Sequence, residues 1–234
     1  MSASPTPTRS LEGARILIVG ASGGLGRPLA AALTARGAHL ALAGRDPNRF
    51  GDLGVDASRA FAFDLADPGA AQPLIAAAAE ALGGLEGVIC CAGAVAFGPL
   101  DEIPIDVLQE IVAVDLVGPL VLAGAAISVL ARGGFVLNIS GIVAEIPTAG
   151  LVSYSAAKAG VSAGFRALAR EVRPRGISVI DARPPHTETG LAGRPLHGEP
   201  PKMRPGLDPG VVAKRLVRAI EFDERDVPAS AFTP

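Results

Sequence analysis

Short apolar runs rich in β-branched residues alternate along the chain with segments whose apolar positions recur at helical spacing. ARILIVG stops at Gly20, and LGRPLAAALTARG follows with a helical pattern closed by Gly37. HLALAG and AFAFD predict a second and a third strand, PGAAQPLIAAAAEALGG a helix, and GVICCAG a fourth strand. A long helical region covers Pro104 to about Ala131. Gly118 and Pro119 predict a kink or local break in it, because proline lacks an N–H and crowds the carbonyl one turn back. GGFVLNIS is a fifth strand, Ser153 to about Val172 a helix, GISVIDA a sixth strand, Pro209 to Phe222 a last helix, and DVPASAF can supply a short seventh strand at the sheet edge.

Strands that are apolar throughout, in strict alternation with helices, imply a parallel sheet covered on both faces. That is the α/β, doubly wound, Rossmann-type architecture, with helices flanking the sheet on each side. A chain of 234 residues can bury a sizeable core, and with neither internal repeat nor linker it is expected to form a single domain over residues 13–234. The leading MSASPTPTRS has Ser, Thr and Pro but no apolar centre, so residues 1–12 are expected to be a disordered lead-in rather than a signal peptide or anchor. In open parallel sheets ligands bind beyond the carboxyl ends of the strands, which is where chemistry should be sought.

Composition narrows the partners. The apolar fraction of 49% comes from Ala, Leu, Val and Ile with no Trp, which suits closely packed helices, and a formal charge of −2 without a basic stripe argues against a nucleic-acid or anionic membrane surface. No uninterrupted apolar stretch reaches the roughly 18 residues that span a bilayer, so a soluble, cytoplasmic protein is expected. Cys90 and Cys91 are adjacent, so on a strand they face opposite ways; neither a disulfide nor a metal site is expected, and they read as buried small hydrophobes.

The strand ends carry the candidate chemistry. After the first strand, GASGGLGR places Gly20, Ser22, Gly24, Leu25 and Gly26 in a turn that opens a helix, where bare backbone and a positive dipole end suit a pyrophosphate. The second strand ends at Gly44 with Arg45 next. No acid there repels a 2′-phosphate and a guanidinium can bind it, which favours NADP over NAD, although Arg45 could equally cap a surface turn and Asp46 follows it. After the third strand, Asp64 with Leu65 beside it is placed to meet an adenine amino group or to serve as a plain turn residue. Cys91, Ala92 and Gly93 again bring backbone near the nucleotide. In VSYSAAKAG the only tyrosine, Tyr154, stands four residues before Lys158, so on a helix a phenol and an ammonium share one face.

Taken together, Gly20-x-x-x-Gly24-x-Gly26, Asp64, the Ala-Gly after the fourth strand and Tyr154-x-x-x-Lys158 resemble the short-chain dehydrogenase/reductase family, over about Ala14 to Phe222. The resemblance implies that Lys158 lies against the nicotinamide ribose and lowers the pKa of Tyr154, which acts as general acid on a carbonyl oxygen; a nearby ammonium does stabilise a phenolate. The family serine that polarises the substrate oxygen falls thirteen residues before the tyrosine, at Gly141. Ser140, one position earlier, is expected to fill the role through a shift of the loop, the alternative being that it points to the wrong side of the strand. Asp115 stands where the family has an asparagine whose main-chain oxygen leads through water to the lysine; an aspartate can serve in that role, yet its charge can also alter the lysine's environment, and Cys90 and Cys91 replace two further asparagines. In RPPHTET, Pro184 matches the family's proline beside the cofactor, Pro185 replaces its glycine, and Thr189, with Thr187 as fallback, is expected to reach the carboxamide. Residues 186–207, rich in Gly and Pro, form a substrate loop that either closes on substrate or stays an ordered surface loop; His186 and His197 in it are assigned no chemistry.

The expected activity is NADPH-dependent reduction of a ketone or aldehyde, or oxidation of the matching alcohol, with Val95, Phe97, Ile142, Val143, Ile146 and Leu151 making an apolar pocket. The alternative is a catalytically impaired NADP-binding redox sensor or partner-binding module, motivated by Gly141, Asp115 and Pro185. The resemblance also implies a homodimer or homotetramer built on the two long helices.

Overall fold

The computed structural model describes residues 6–232. Seven parallel strands form one sheet in the order β3-β2-β1-β4-β5-β6-β7: β1 Arg15–Val19, β2 His39–Gly44, β3 Ala60–Ala62, β4 Gly87–Cys90, β5 Phe135–Ile139, β6 Ser178–Ala182 and β7 Asp226–Val227. The helices are α1 Gly26–Thr34, α2 Ala71–Leu82, α3 Ile105–Val112, α4 Gly118–Val129, α5 Val152–Glu171 and α6 Pro209–Glu221. Strand order reverses between β1 and β4, so the crevice that receives ligands in such sheets opens above Val19 and Cys90, which are paired in register.

Period-two alternation sorts β1 between two cores. Ile16 and Ile18 pack with Leu29 and Leu33 of α1 and Leu216 of α6, whereas Leu17 and Val19 pack with Ile75 of α2, Ala126 of α4 and Phe165 of α5. With both faces covered, polar side chains that do enter the strands must find partners inside.

The predicted break in the long helix falls one turn earlier than Gly118 and Pro119. Ala113–Val117 form a π-helical turn between α3 and α4, closed by the Gly118 N–H bonding to the Ala113 carbonyl. Pro119 cannot donate to the carbonyl of Asp115 four residues back, so the ladder skips a residue there. The run Ile105–Val129 is also long and apolar enough, by length and composition, to cross a bilayer, although isolated acids divide it; half of its most apolar window is buried in the fold. The last strand stops after two residues because Pro228 has no N–H to extend the ladder.

Residues 1–5 of the expected lead-in lie outside the described residues, but from Thr8 onward the segment is docked. The N–H groups of Thr8 and Arg9 both reach the Glu221 carbonyl at 2.9 Å, one of the orphan acceptors at the end of α6, and the Arg9 guanidinium donates to the Ile220 carbonyl at 2.7 Å. Leu11, only 3% exposed, anchors the segment in the α1/α6 core. A single apolar residue in a polar stretch gave the sequence too little signal to reveal this.

Candidate active site

The glycines after β1 are required by protein packing as much as by any ligand. Gly20 takes φ +85° and a Cβ on it would come within 2.5 Å of the Ala92 backbone nitrogen, so β1 and the chain leaving β4 meet there without side chains. A Cβ on Gly26 would strike the Gly20 carbonyl, and one on Gly24 would strike the backbone of Thr189. The first turn of α1 carries no side-chain cap and no acid; the Arg27 N–H is taken by the Gly23 carbonyl at 3.1 Å and Pro28 has none, so the N–H groups of Leu25 and Gly26 are the ones left to meet an anion. Arg27, which sequence reasoning overlooked, ties this turn to the one after β2: its guanidinium donates to the Ser22 carbonyl at 3.2 Å and the Arg49 carbonyl at 2.6 Å and pairs with Asp52.

At the other end of the crevice Arg45 is exposed and has no hydrogen bond or ion pair among the described residues. Asp46 is turned away into its own loop, accepting from the N–H and side-chain amide of Asn48 at 3.1 Å. Asp64 accepts from the Ala66 N–H at 3.0 Å as a turn residue, while Leu65 is buried under Gly118, where a Cβ would come within 2.6 Å of its Cγ. An uncapped helix start, a bare turn and an unpaired guanidinium suit the diphosphate and 2′-phosphate of NADP.

Helix α5 places Tyr154 and Lys158 one turn apart, with the ammonium 5.7 Å from the centre of the phenol ring. Lys158 is buried; its Nζ donates to the Ile139 carbonyl at 3.0 Å and lies 2.9 Å from Oδ1 of Asp115. Asp115 is itself fully buried and accepts from the Ala94 N–H at 3.2 Å. The Asp115 carboxylate thus contacts the lysine directly, so its charge does enter the lysine's environment.

The charges follow from that contact. Burial penalises the Lys158 ammonium, but Asp115 and the neighbouring phenol outweigh this and hold its pKa above the usual lysine range. Burial pushes the Asp115 carboxyl up against the pull of Lys158. Burial likewise pushes the Tyr154 phenol up, Lys158 pulls it down and Asp115 pushes it up again, so it lies above the ordinary tyrosine value rather than below it.

Ser140 does not face this pair. It is fully buried, and its hydroxyl donates to Oδ1 of Asp181 at 2.6 Å. Oδ2 of Asp181 accepts from Ser162 and from Arg183, each at 2.6 Å, and Arg183 also pairs with Glu145 at 2.5 Å and with Asp226. Alternation along β5 puts Ser140 on the face of Asn138, which pairs in register with Asp181, so the hydroxyl is committed inside the fold. Gly141 follows at φ +82°, a conformation that favours glycine, and its N–H bonds to the Ala182 carbonyl at 3.3 Å. Asp181 in the middle of a buried strand and Ser162 one turn after Lys158 were the available signals of this network.

After β6, the Thr187 hydroxyl donates to the Pro185 carbonyl at 2.9 Å, and Thr189 lies with its backbone against Gly24. The loop beyond is fastened to the chain after β4: the Leu196 N–H reaches the Val95 carbonyl at 2.8 Å and the Phe97 N–H the His197 carbonyl at 2.9 Å. Val95 and Phe97 are buried beneath it, whereas Ile146 is exposed.

Comparison with known proteins agrees with this arrangement. The short chain dehydrogenase family model matches residues 14–199, and the chain belongs to the short-chain dehydrogenase/reductase family of NAD(P)-dependent oxidoreductases. It is 32% identical to a glycine betaine reductase of Emericella nidulans over 94% of its own length, spanning 18% of that protein. It is 28% identical to a 3-oxoacyl-acyl-carrier-protein reductase of Vibrio cholerae, covering 78% of this chain and 77% of that one. A short-chain dehydrogenase from Burkholderia cenocepacia, solved in complex with NADP, superposes with a TM-score of 0.82 at 27% identity over 96% of this chain and 100% of that one.

Proposed function

We propose that the chain reduces a ketone or aldehyde with an apolar body, using NADPH, and that Tyr154 delivers the proton to the carbonyl oxygen. The observation that carries the reading is the phenol of Tyr154 with the Lys158 ammonium 5.7 Å from its ring, at the carboxyl edge of a sheet whose β1–α1 turn suits a dinucleotide. Relatives named as reductases of glycine betaine, of 3-oxoacyl-acyl-carrier protein and of 3-dehydrosphinganine support the direction. The bound nucleotide supplies hydride. Tyr154 holds the proton at its Oη, and Lys158, with two donors committed to Asp115 and Ile139, keeps one N–H for a ribose hydroxyl. Unpaired Arg45 and the diverted Asp46 favour NADP over NAD. Exposed Ile105, Val117, Val121 and Val152 support assembly into a homodimer or homotetramer through the long helices.

A second reading, an NADP-binding sensor without turnover, rests on one observation: the Ser140 hydroxyl is spent on Asp181 and Gly141 carries none. NADPH consumption over a panel of ketones, aldehydes and quinones, with NADH in parallel and Tyr154→Phe as control, separates the two. Turnover that disappears in Tyr154→Phe establishes the reductase. Tight NADPH binding without reduction of any carbonyl selects the sensor.

A further inference from the structure

Lys158 does not present a free positive charge to Tyr154. Its nitrogen is 2.9 Å from a carboxylate with no exposed surface, and two local features keep that carboxylate in place. The π-helical turn at Ala113–Val117, where Pro119 interrupts the ladder, carries Asp115, and the Ala94 N–H fixes its second oxygen at 3.2 Å. Gly93 supplies the clearance, since a Cβ there would come within 2.9 Å of Oδ1 of Asp115 and 3.5 Å of Nζ of Lys158.

A lone ammonium beside a phenol stabilises phenolate. An ammonium paired with a carboxylate is a short dipole of zero net charge, and its effect at the ring is the difference of two opposed terms. Burial keeps water and salt from screening either one. Other ionisable groups do not restore the balance: Cys90, on the strand end facing the pair, is a thiol pushed up to about 12 by burial and therefore neutral, and burial raises Cys91 as well. Lys158 and Asp115 are the charges that act on Tyr154.

We propose that Asp115 is a positioning residue that cancels the charge of Lys158 as felt by Tyr154, keeping the phenol protonated and setting the site to give a proton to a carbonyl oxygen rather than to take one from an alcohol. The inference rests on Tyr154 being the proton donor. The raised pKa of Tyr154, in which burial is the largest cause and Asp115 acts in the same direction, agrees with it.

The chain offers a direct readout, because it has one tyrosine and no tryptophan, so the long-wavelength absorbance of phenolate titrates Tyr154 alone in the whole protein, without substrate. The expected midpoint in the wild-type protein lies above about 10, the ordinary tyrosine value. Asp115→Asn, nearly the same shape without the charge, is expected to lower it by about one unit or more, Lys158→Met to raise it, and the double substitution to bring it back towards the wild-type value. Circular dichroism at each pH confirms that the fold persists, and Asp115→Ser replaces the asparagine variant if that one does not fold. A wild-type midpoint clearly below 10 overturns the proposal without recourse to any variant, as does a midpoint that Asp115→Asn leaves unmoved. If instead the midpoint moves as expected while Tyr154→Phe still reduces carbonyls, charge cancellation stands and the proton-donor reading fails.

Discussion

Ser140 and Asp181 are joined by a hydrogen bond of 2.6 Å inside the fold, on the face of β5 that looks toward α5. The hydroxyl therefore supports structure instead of substrate. Ser140→Ala leaves a buried carboxylate one donor short and is expected to cost about 1–3 kcal/mol of stability, seen in denaturant unfolding. Its effect on carbonyl reduction should fall well short of the roughly 100-fold or greater loss expected when a proton donor is removed, as in Tyr154→Phe. A loss in Ser140→Ala as deep as in Tyr154→Phe would return the serine to the chemistry.

Arg45→Ala should weaken NADPH about 10- to 100-fold, the worth of a charge-assisted contact to a phosphate, and leave NADH nearly unchanged. Titration of nucleotide fluorescence with both cofactors measures it. Equal losses for the two would mean that Arg45 serves only its turn.

Gly24→Ala places a methyl group against the backbone of Thr189, whose Cα would lie 2.6 Å away. Backbone cannot yield as a side-chain end can, so the segment through Thr189 must move. Trypsin cleavage at Lys202, the basic residue of this loop that proline does not follow, is expected to accelerate and NADPH affinity to fall together; unchanged cleavage would show that the loop does not depend on this contact.

Leu11→Ala removes a buried side chain from the α1/α6 core and should destabilise the protein by about 2–5 kcal/mol, with NADPH affinity retained. A denaturant midpoint within error of wild type would mean that the segment before β1 contributes nothing to stability.

The Cys90 thiol, pushed up to about 12 by burial, is ionised to about one part in ten thousand at pH 8, since reactivity follows the thiolate and its fraction falls tenfold for each unit of pH below the pKa. Alkylation by iodoacetamide, located by fragment mass spectrometry, should spare Cys90 in the folded protein and reach it once the protein is unfolded. Prompt labelling of Cys90 in the native state would show that the end of β4 opens.

The sheet, its order of helices and strands, and the Tyr154–Lys158 pair were legible because each rests on local periodicity or on a short motif at a strand end. What stayed hidden depends on where side chains from distant segments meet. The direction of the Ser140 hydroxyl is fixed by Asp181, forty-one residues on, and by Ser162. The identity of Asp115 was visible, but its carboxylate meets Lys158 from a π-helical turn and in the space that Gly93 leaves, neither of which a motif displays. The phenol of Tyr154 is held above the ordinary tyrosine value chiefly by burial, with Asp115 adding to the rise, and a short motif displays the ammonium but not the burial. Arg27 looked like an ordinary polar position of α1, and only the fold brings Asp52 and Arg49 beside it.

The docking of Thr8 and Arg9 on Glu221 joins positions 213 and 212 residues apart. During synthesis that contact cannot form until α6 has left the ribosome, so the segment before β1, although made well before α6, settles only with it. Until then Leu11 and the apolar face of α1 that later meets α6 stay open to water, and a pause before α6 is translated would prolong the interval in which the nascent chain can stick to its neighbours.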